Sequence, residues 1–413
     1  MHFVARHGHG AVTRAPARTV LEHARVVTGA GVVSQSLTFV NERSTGRDSA
    51  STDTHRVDLR DHVVFPALIN AHDHLHLNCI PRLPHRAPFA NAYEWIAAFE
   101  AFRDTPEIAA AARVDRTSRH WQGALKNLLC GAATVAHHDP WDASFDDPSF
   151  PVDVPPRLAW CHSLGLSGAR SDGSPKYGPP IRESFVNTPP DTPWILHAAE
   201  GVDGEAMGEI HRLDGMGCLA ANTVLVHAVG MTDRDVELVT RRRASVVWCP
   251  HSNLELFGST LDPRRIFAAG RIALGTDSRL TGARDLLDEL RVARDHSDLL
   301  PVELFRLVTS NAATVLRLAR ANGGGGEPNP LADCLILRDQ ADAYRALVDA
   351  RRADVRAVVR GGVPLVADPD LGDWLTHSGA DPVAAVLDGR PKVVARQLAR
   401  SDVAALEHGL EIC

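Results

Sequence analysis

Two histidines one residue apart close a short apolar segment, Pro66-Ala-Leu-Ile-Asn-Ala-His72-Asp-His74-Leu-His76. Alternate side chains on an extended strand share a face, so His72 and His74 point together while Asp73 and Leu75 point away. Two imidazoles on one face can grip one cation. His76 continues the alternation toward the mouth of such a site and is a candidate substrate contact. Three more apolar runs end in polar residues of ligand type: Trp194-Ile-Leu-His197 with Glu200 three residues on, Thr223-Val-Leu-Val-His227, and Arg271-Ile-Ala-Leu-Gly-Thr-Asp277. One histidine at one strand end is ordinary. Four separate strands finishing in His or Asp point to a single metal centre built from residues far apart in the chain.

That convergence needs a scaffold. From about Phe65 to Asn322, compact apolar runs (VVFPALIN, ATVAHH, RLAWCHS, WILHAAE, TVLVHAV, ASVVWCP, RIALGTD) alternate with stretches of helical spacing such as AYEWIAAFEAF and DLLDELRVAR. Strands alternating with helices imply βαβ units and a parallel sheet. At this length the expected form is a (β/α)8 TIM-like barrel, which delivers the C-terminal end of every strand to one rim. Short strand-like stretches broken by turn residues occupy both flanks. They predict a small β-sandwich domain built from both chain ends, residues 1–64 and 325–413, around a barrel over residues 65–324. NGGGGEPNP, residues 322–330, reads as the linker between them and lacks the G-x-x-x-x-G-K-[ST] pattern of a phosphate loop.

In order along the chain, PALINAHDHLHLN, GAATVAHHDP, HAAE, LVHAV and GTDS resemble the strand motifs of the amidohydrolase superfamily. VVWCPHSN is similar to the Cys-Pro-x-Ser-Asn segment of its cytosine deaminase, guanine deaminase and chlorohydrolase-like branch. The resemblance runs from about Val64 to Leu337, with Ala67 standing where a glycine is usual. It implies that His72, His74, His197 and Asp277 bind metal, that Glu200 shuttles protons and that His227 polarises the substrate. Some members hold two metals through a lysine on the fourth strand; here only Lys176, in the turn-like SPKYGPP, lies between the second and fifth strands, so one metal is expected. The span of 59 residues from His138 to His197 must hold two shortened βα units or one irregular strand.

Three imidazoles and a carboxylate suit zinc, with ferrous iron the alternative, better than magnesium or calcium. The expected reaction is hydrolysis of a C–N bond by metal-activated hydroxide, foremost deamination of a nitrogen heterocycle of purine, pyrimidine, pterin or triazine type. Hydrolysis of a cyclic amide or imidazolone, displacement of halide, and a non-catalytic binding protein of this fold are the competing readings. His76, His137, His138, Asn253 and Arg279 are candidate substrate contacts. Trp95 reads as core.

Composition narrows the classes further. A 44% hydrophobic, 23% charged chain is ordinary for a folded globular protein, and the net charge of −7 offers no basic footprint for nucleic acid. Seven scattered cysteines without a C-x-x-C pair read as reduced thiols. No signal-like or spanning apolar segment is visible, so a cytoplasmic enzyme on a small-molecule substrate is expected, with no membrane partner and a homodimer the family-based expectation.

Overall fold

Seven short strands between Leu68 and Leu274 run parallel in a computed structural model that describes residues 18–28, 31–40, 54–84, 88–156, 158–168, 177–318 and 331–413. Five stand side by side in chain order: Ala159–Ser163, Trp194–Ala198, Thr223–His227, Ser245–Trp248 and Ile272–Leu274. Four of them, from Trp194 onward, are buried at every position, which is why their sequences are continuous apolar runs without polar alternation. The other two, Leu68–Asp73 and Ala132–His137, pair with each other. The backbone N–H groups of Thr276 and Asp277 both donate to the carbonyl of His72 at 3.1 Å, joining the end of the five-strand ladder to the first strand.

The α/β character matches expectation; the eight-stranded closed ladder does not appear among the described residues. The gap lies between Ala132–His137 and Ala159–Ser163. Asp153 occupies it alone, donating to Ala133 O at 2.7 Å and accepting from Val135 N at 2.9 Å. It sits in Pro151-Val-Asp-Val-Pro-Pro156, and prolines cannot donate to a ladder, so pairing ends after a single bridge. Between His138 and His197 the described residues hold one strand and one six-residue α-helix, Ile181–Val186, plus a 3-10 turn at Ala143–Asp146. The crowding read from the 59-residue span is thus met by one βα unit. Lys176 and the Asn322–Pro330 linker lie outside the described residues.

The run VVFPALIN, expected as one strand, divides. His62–Pro66 joins a nine-stranded sheet, and Leu68–Asp73 begins the parallel strands. Between them Ala67 N donates to Asp333 O and Leu68 N to Gly131 O, both at 2.9 Å. Pro66 has no N–H to extend its own ladder, and the chain changes sheet there. The nine-stranded sheet combines early strands, Arg25–Thr28, Gly31–Ser34 and His62–Pro66, with six from Cys334–Arg338 onward. A three-stranded sheet of Arg18–Glu22, Leu37–Val40 and Thr54–Asp58 lies over it, and Leu21, Phe39 and Val57 share one core with Val64, Ile336, Val359 and Trp374. No helix among the described residues is long and apolar enough to cross a membrane.

Candidate metal centre

Four buried imidazoles meet where the parallel strands end. One ring nitrogen from each of His72, His74, His138 and His197 lies within 4.8 Å of the others. His74 Nε2 is 3.3 Å from His197 Nε2, and Asp277 Oδ1 stands 4.0 Å from His72 Nε2 and 3.9 Å from His74 Nε2. The local backbone is bent to aim these groups: Asp277 has φ 55° and His227 φ 73°, a region costing non-glycine residues on the order of 1–3 kcal/mol. Gly275 lets the last strand pass against the first, since a Cβ there would fall 2.7 Å from His72 Cβ and 2.9 Å from its backbone N.

Hydrogen bonds on the outer sides of the rings decide which nitrogens face inward. His197 Nδ1 donates to the His162 carbonyl at 3.0 Å and His138 Nε2 to the Cys161 carbonyl at 2.9 Å. A carbonyl only accepts, so each ring's proton is on that side and its lone pair faces the cluster. Asp139 Oδ2 holds His74 Nδ1 at 2.7 Å, and Asn253 Oδ1 accepts from His227 Nδ1 at 2.9 Å. His138 Nδ1 and both nitrogens of His72 are buried without a hydrogen-bond partner. Converging neutral lone pairs beside a carboxylate fit a divalent transition metal, and they leave orphaned buried polar atoms otherwise unexplained.

The electrostatics agree. Burial, aided by neighbouring imidazoles, holds His72 and His197 well below the ordinary histidine range and brings His138 down to about 3. His74 moves the other way: burial opposes its charge, but the Asp139, Asp277 and Asp73 carboxylates outweigh burial and raise it to about 9. Burial also pushes the Asp277 carboxyl up, yet His74, His227 and the donors Thr281 and Ser278 bring it below its usual value. Its Oδ2 accepts from Ser252 Oγ (2.9 Å) and Thr281 Oγ1 (2.7 Å), while Oδ1 faces the imidazoles.

A pH test follows. In metal-free protein the His74 proton is held more tightly folded than unfolded. Its contribution is therefore complete below the unfolded pKa of about 6.5 and is lost as pH rises through about 9. Chelated protein should lose on the order of 3 kcal/mol across that window, read as unfolding midpoint against pH. Below pH 6.5 the depressed histidines act oppositely, so chelated protein should be most stable near neutrality. A metal bound at His74 would displace that proton, so metal-loaded protein should then show no such loss on the alkaline side.

Behind the first strand, Asp73 faces away from the cluster as the alternation predicts. The buried Lys126 Nζ reaches Asp73 Oδ2 at 3.0 Å, Asn78 Oδ1 at 2.8 Å and Thr276 Oγ1 at 3.1 Å. Asn127 Nδ2 donates to the same Asp73 oxygen, and Asn70 ties Asn127 to Thr276. This network locks the strand bearing His72 to the segment bearing Asp277. Lys126→Met would leave Asp73 charged, buried and short of its cation, so chemical denaturation should show a loss of about 3–5 kcal/mol.

Glu200 and His227 stand beside the imidazoles, with His227 Nε2 3.5 Å from Glu200 Oε1. Burial, reinforced by the Asp277 and Glu209 carboxylates, holds the Glu200 carboxyl well above its ordinary range, and burial keeps His227 neutral. Glu209, bonded to Tyr93 OH, fixes the turn before Glu200 by accepting from Ala199 N at 2.7 Å.

The other expected contacts divide. His138 joins the imidazole cluster rather than an outer contact position. Asn253 is fully buried and acts through His227. The strand ends at Asp73, so His76 leaves its register in a 3-10 turn, Leu75–Leu77, and joins His137 in a separate cluster. Arg279 corrects the expectation placed on it: its guanidinium is bidentate to Glu407 at 2.8 and 2.7 Å and donates to Arg284 O, which leaves the fork committed to protein partners. Trp95 is buried in an apolar cluster with Phe89 and Leu256. Asp139, two residues beyond the histidine strand end, escaped sequence reasoning; its adjacency to His137-His138 was the available signal.

The profile of the Amidohydrolase family matches residues 185–363, the stretch that carries His197, Glu200, His227 and Asp277. A zinc-bound adenosine deaminase from Xanthomonas campestris superposes with TM-score 0.60 over 88% of this chain and 98% of its own, at 18% identity. The chain is thus similar to the Amidohydrolase family over residues 185–363 and shares its fold with these hydrolases. It also shares its fold with zinc-complexed atrazine chlorohydrolase of Arthrobacter aurescens (TM-score 0.60, 16% identity, covering 87% of this chain and 99% of the other). In sequence it is 29% identical over 139 residues to the 5-methylthioadenosine/S-adenosylhomocysteine deaminase of Thermococcus sibiricus, which is 31% of this chain and 32% of the relative. The match thus spans about a third of that relative's length.

Proposed function

We propose that this chain is a metal-dependent hydrolase that deaminates a nitrogen heterocycle, with an aminopurine nucleoside the first candidate. The observation that carries the reading is the pairing of a high-pKa carboxyl, Glu200, with His227 beside the imidazole cluster. The named activities of the sequence relative and of the zinc-bound structural neighbour support it. The residues that would hold one divalent cation are His72, His74, His197 and Asp277, and His138 belongs to the same imidazole group. Zinc is the first expectation, and such a cation supplies Lewis acidity that makes water nucleophilic near neutral pH.

The chain's own groups do the rest. Asp277, fixed through Oδ2, presents Oδ1 as an acceptor for the proton released by the attacking water. Glu200 arrives protonated and gives its proton to the ring nitrogen next to the attacked carbon. Its carboxylate would then take the proton of the added hydroxyl and hand it to the exocyclic amine, and the proton held on Asp277 would return to Glu200 for the next turnover. His227, its Nδ1–H committed to Asn253, points Nε2 at the position where the attacked carbon's substituents would lie. Water adds, the C–N bond breaks and ammonia leaves, with the ring retained as its oxo form.

We propose residues 65–324 as the barrel unit and residues 1–64 with 325–413 as a composite β unit. Displacement of chloride from a triazine is the second reading, favoured by the chlorohydrolase neighbour. A screen of aminopurine nucleosides, aminopyrimidines, pterins and chloro- and amino-triazines, followed for ammonia and chloride, separates the two. Ammonia release from an aminopurine is the expected result; chloride release alone would replace the first reading by the second.

A further inference from the structure

His76, His120 and His137 form a second cluster, apart from the one that His138 joins just beyond the end of the strand Ala132–His137. One nitrogen from each ring lies within 4.8 Å of the other two. His137 closes the strand and His138 follows it directly, and their rings enter different clusters. The helix Arg116–Leu129 presents His120, fully buried, to this second cluster. Ring centroids are 5.7 Å apart for His76 and His120, 5.9 Å for His76 and His137, and 5.3 Å for His120 and His137, with the planes close to mutually perpendicular.

Such rings would pack as plain aromatic neighbours if their nitrogens were bonded elsewhere. They are not. Both nitrogens of His120, Nε2 of His137 and Nδ1 of His76 are buried without a hydrogen-bond partner. Two carboxylates flank the group: Asp142 Oδ2 is 3.6 Å from His120 Nδ1, and Asp139 Oδ2 is 3.6 Å from His76 Nδ1. Carboxylates beside the outer nitrogens of imidazoles are the usual orienting partners of metal-bound histidine. The one competing contact is that of Leu75 N with His137 Nδ1, long at 3.3 Å, which coordination through Nε2 would give up as the proton moves to Nδ1.

We infer that His76, His120 and His137 form a second, separate transition-metal site, with three imidazole ligands and zinc the expected ion. Asp139 touches both clusters, holding His74 in one and flanking His76 in the other. The second site therefore sits back to back with the first and braces the turn between them. This inference is independent of the reaction assigned to the first site.

The test is metal stoichiometry and position on the purified full chain. Loaded with zinc and desalted, wild type should carry two ions per chain by elemental analysis. Anomalous diffraction at the zinc edge should place one peak among His72, His74 and His197 and another among His76, His120 and His137. His120→Asn should remove one equivalent and the second peak only, and cobalt(II) substitution should lose the matching share of its visible absorption. One ion per chain in wild type, or a second peak away from the trio, overturns the inference. Either result leaves the first site untouched, and because the decisive measurement is on wild type, a poorly folding variant cannot mask the answer.

Discussion

Glu200→Gln is expected to keep its metal and lower turnover by about 10²–10⁴-fold, the usual worth of a positioned proton donor. Glutamine fills the same space but cannot carry a proton. Burial and the nearby carboxylates already hold Glu200 in its neutral form, so the amide replaces a neutral group and stability should change by less than about 1 kcal/mol. Metal content should stay at the wild-type value, since Glu200 neighbours His227 and is not one of the four converging imidazoles. Parallel measurement of kcat, elemental metal and unfolding midpoint checks all three expectations. A rate within a few-fold of wild type would remove Glu200 from the proton path and leave the proposed mechanism without its acid.

His72→Ala should be harsher. Both ring nitrogens of His72 lack other partners, and its ring lies 4.9 Å from that of His74 and 5.2 Å from those of His138 and His197. The variant should bind one metal ion fewer per chain and turn substrate over at background rate. Metal should also stabilise wild type by about 4 kcal/mol at a thousandfold excess over its dissociation constant, and this gain should vanish in the variant. Thermal unfolding with and without added zinc, alongside elemental analysis, reads both effects. A variant that retained its full metal content would transfer the site to the remaining three histidines.

Both expectations come from residues whose positions the chain announces. Strand ends are legible because a buried parallel strand is a continuous apolar run and its first polar residue marks the exit to the rim. His72, His74, His197, His227 and Asp277 could thus be singled out before any coordinates, as could the opposed facing of Asp73. The four fully buried strands from Trp194 to Leu274 were legible for the same reason, whereas VVFPALIN, read as one strand, divides between two sheets. Sequence could not show that Asp153 alone bridges the gap, or that Pro66 is where the chain changes sheets, because both depend on which partner a backbone N–H meets.

What the sequence alone determined is the chemistry available: histidines and one aspartate at strand ends, with a glutamate close behind. Tertiary structure decided how those groups are shared out. It drew His138 into the first cluster, sent His76 and His137 to a second with His120, gave Asp139 to His74 and bound Arg279 to Glu407. The reason is physical: a residue's type and its facing are local properties of the chain, whereas the partner that consumes its hydrogen bonds or charge arrives from elsewhere. His120 and Glu407, far from the motifs they serve, carry no mark of those roles in their own surroundings.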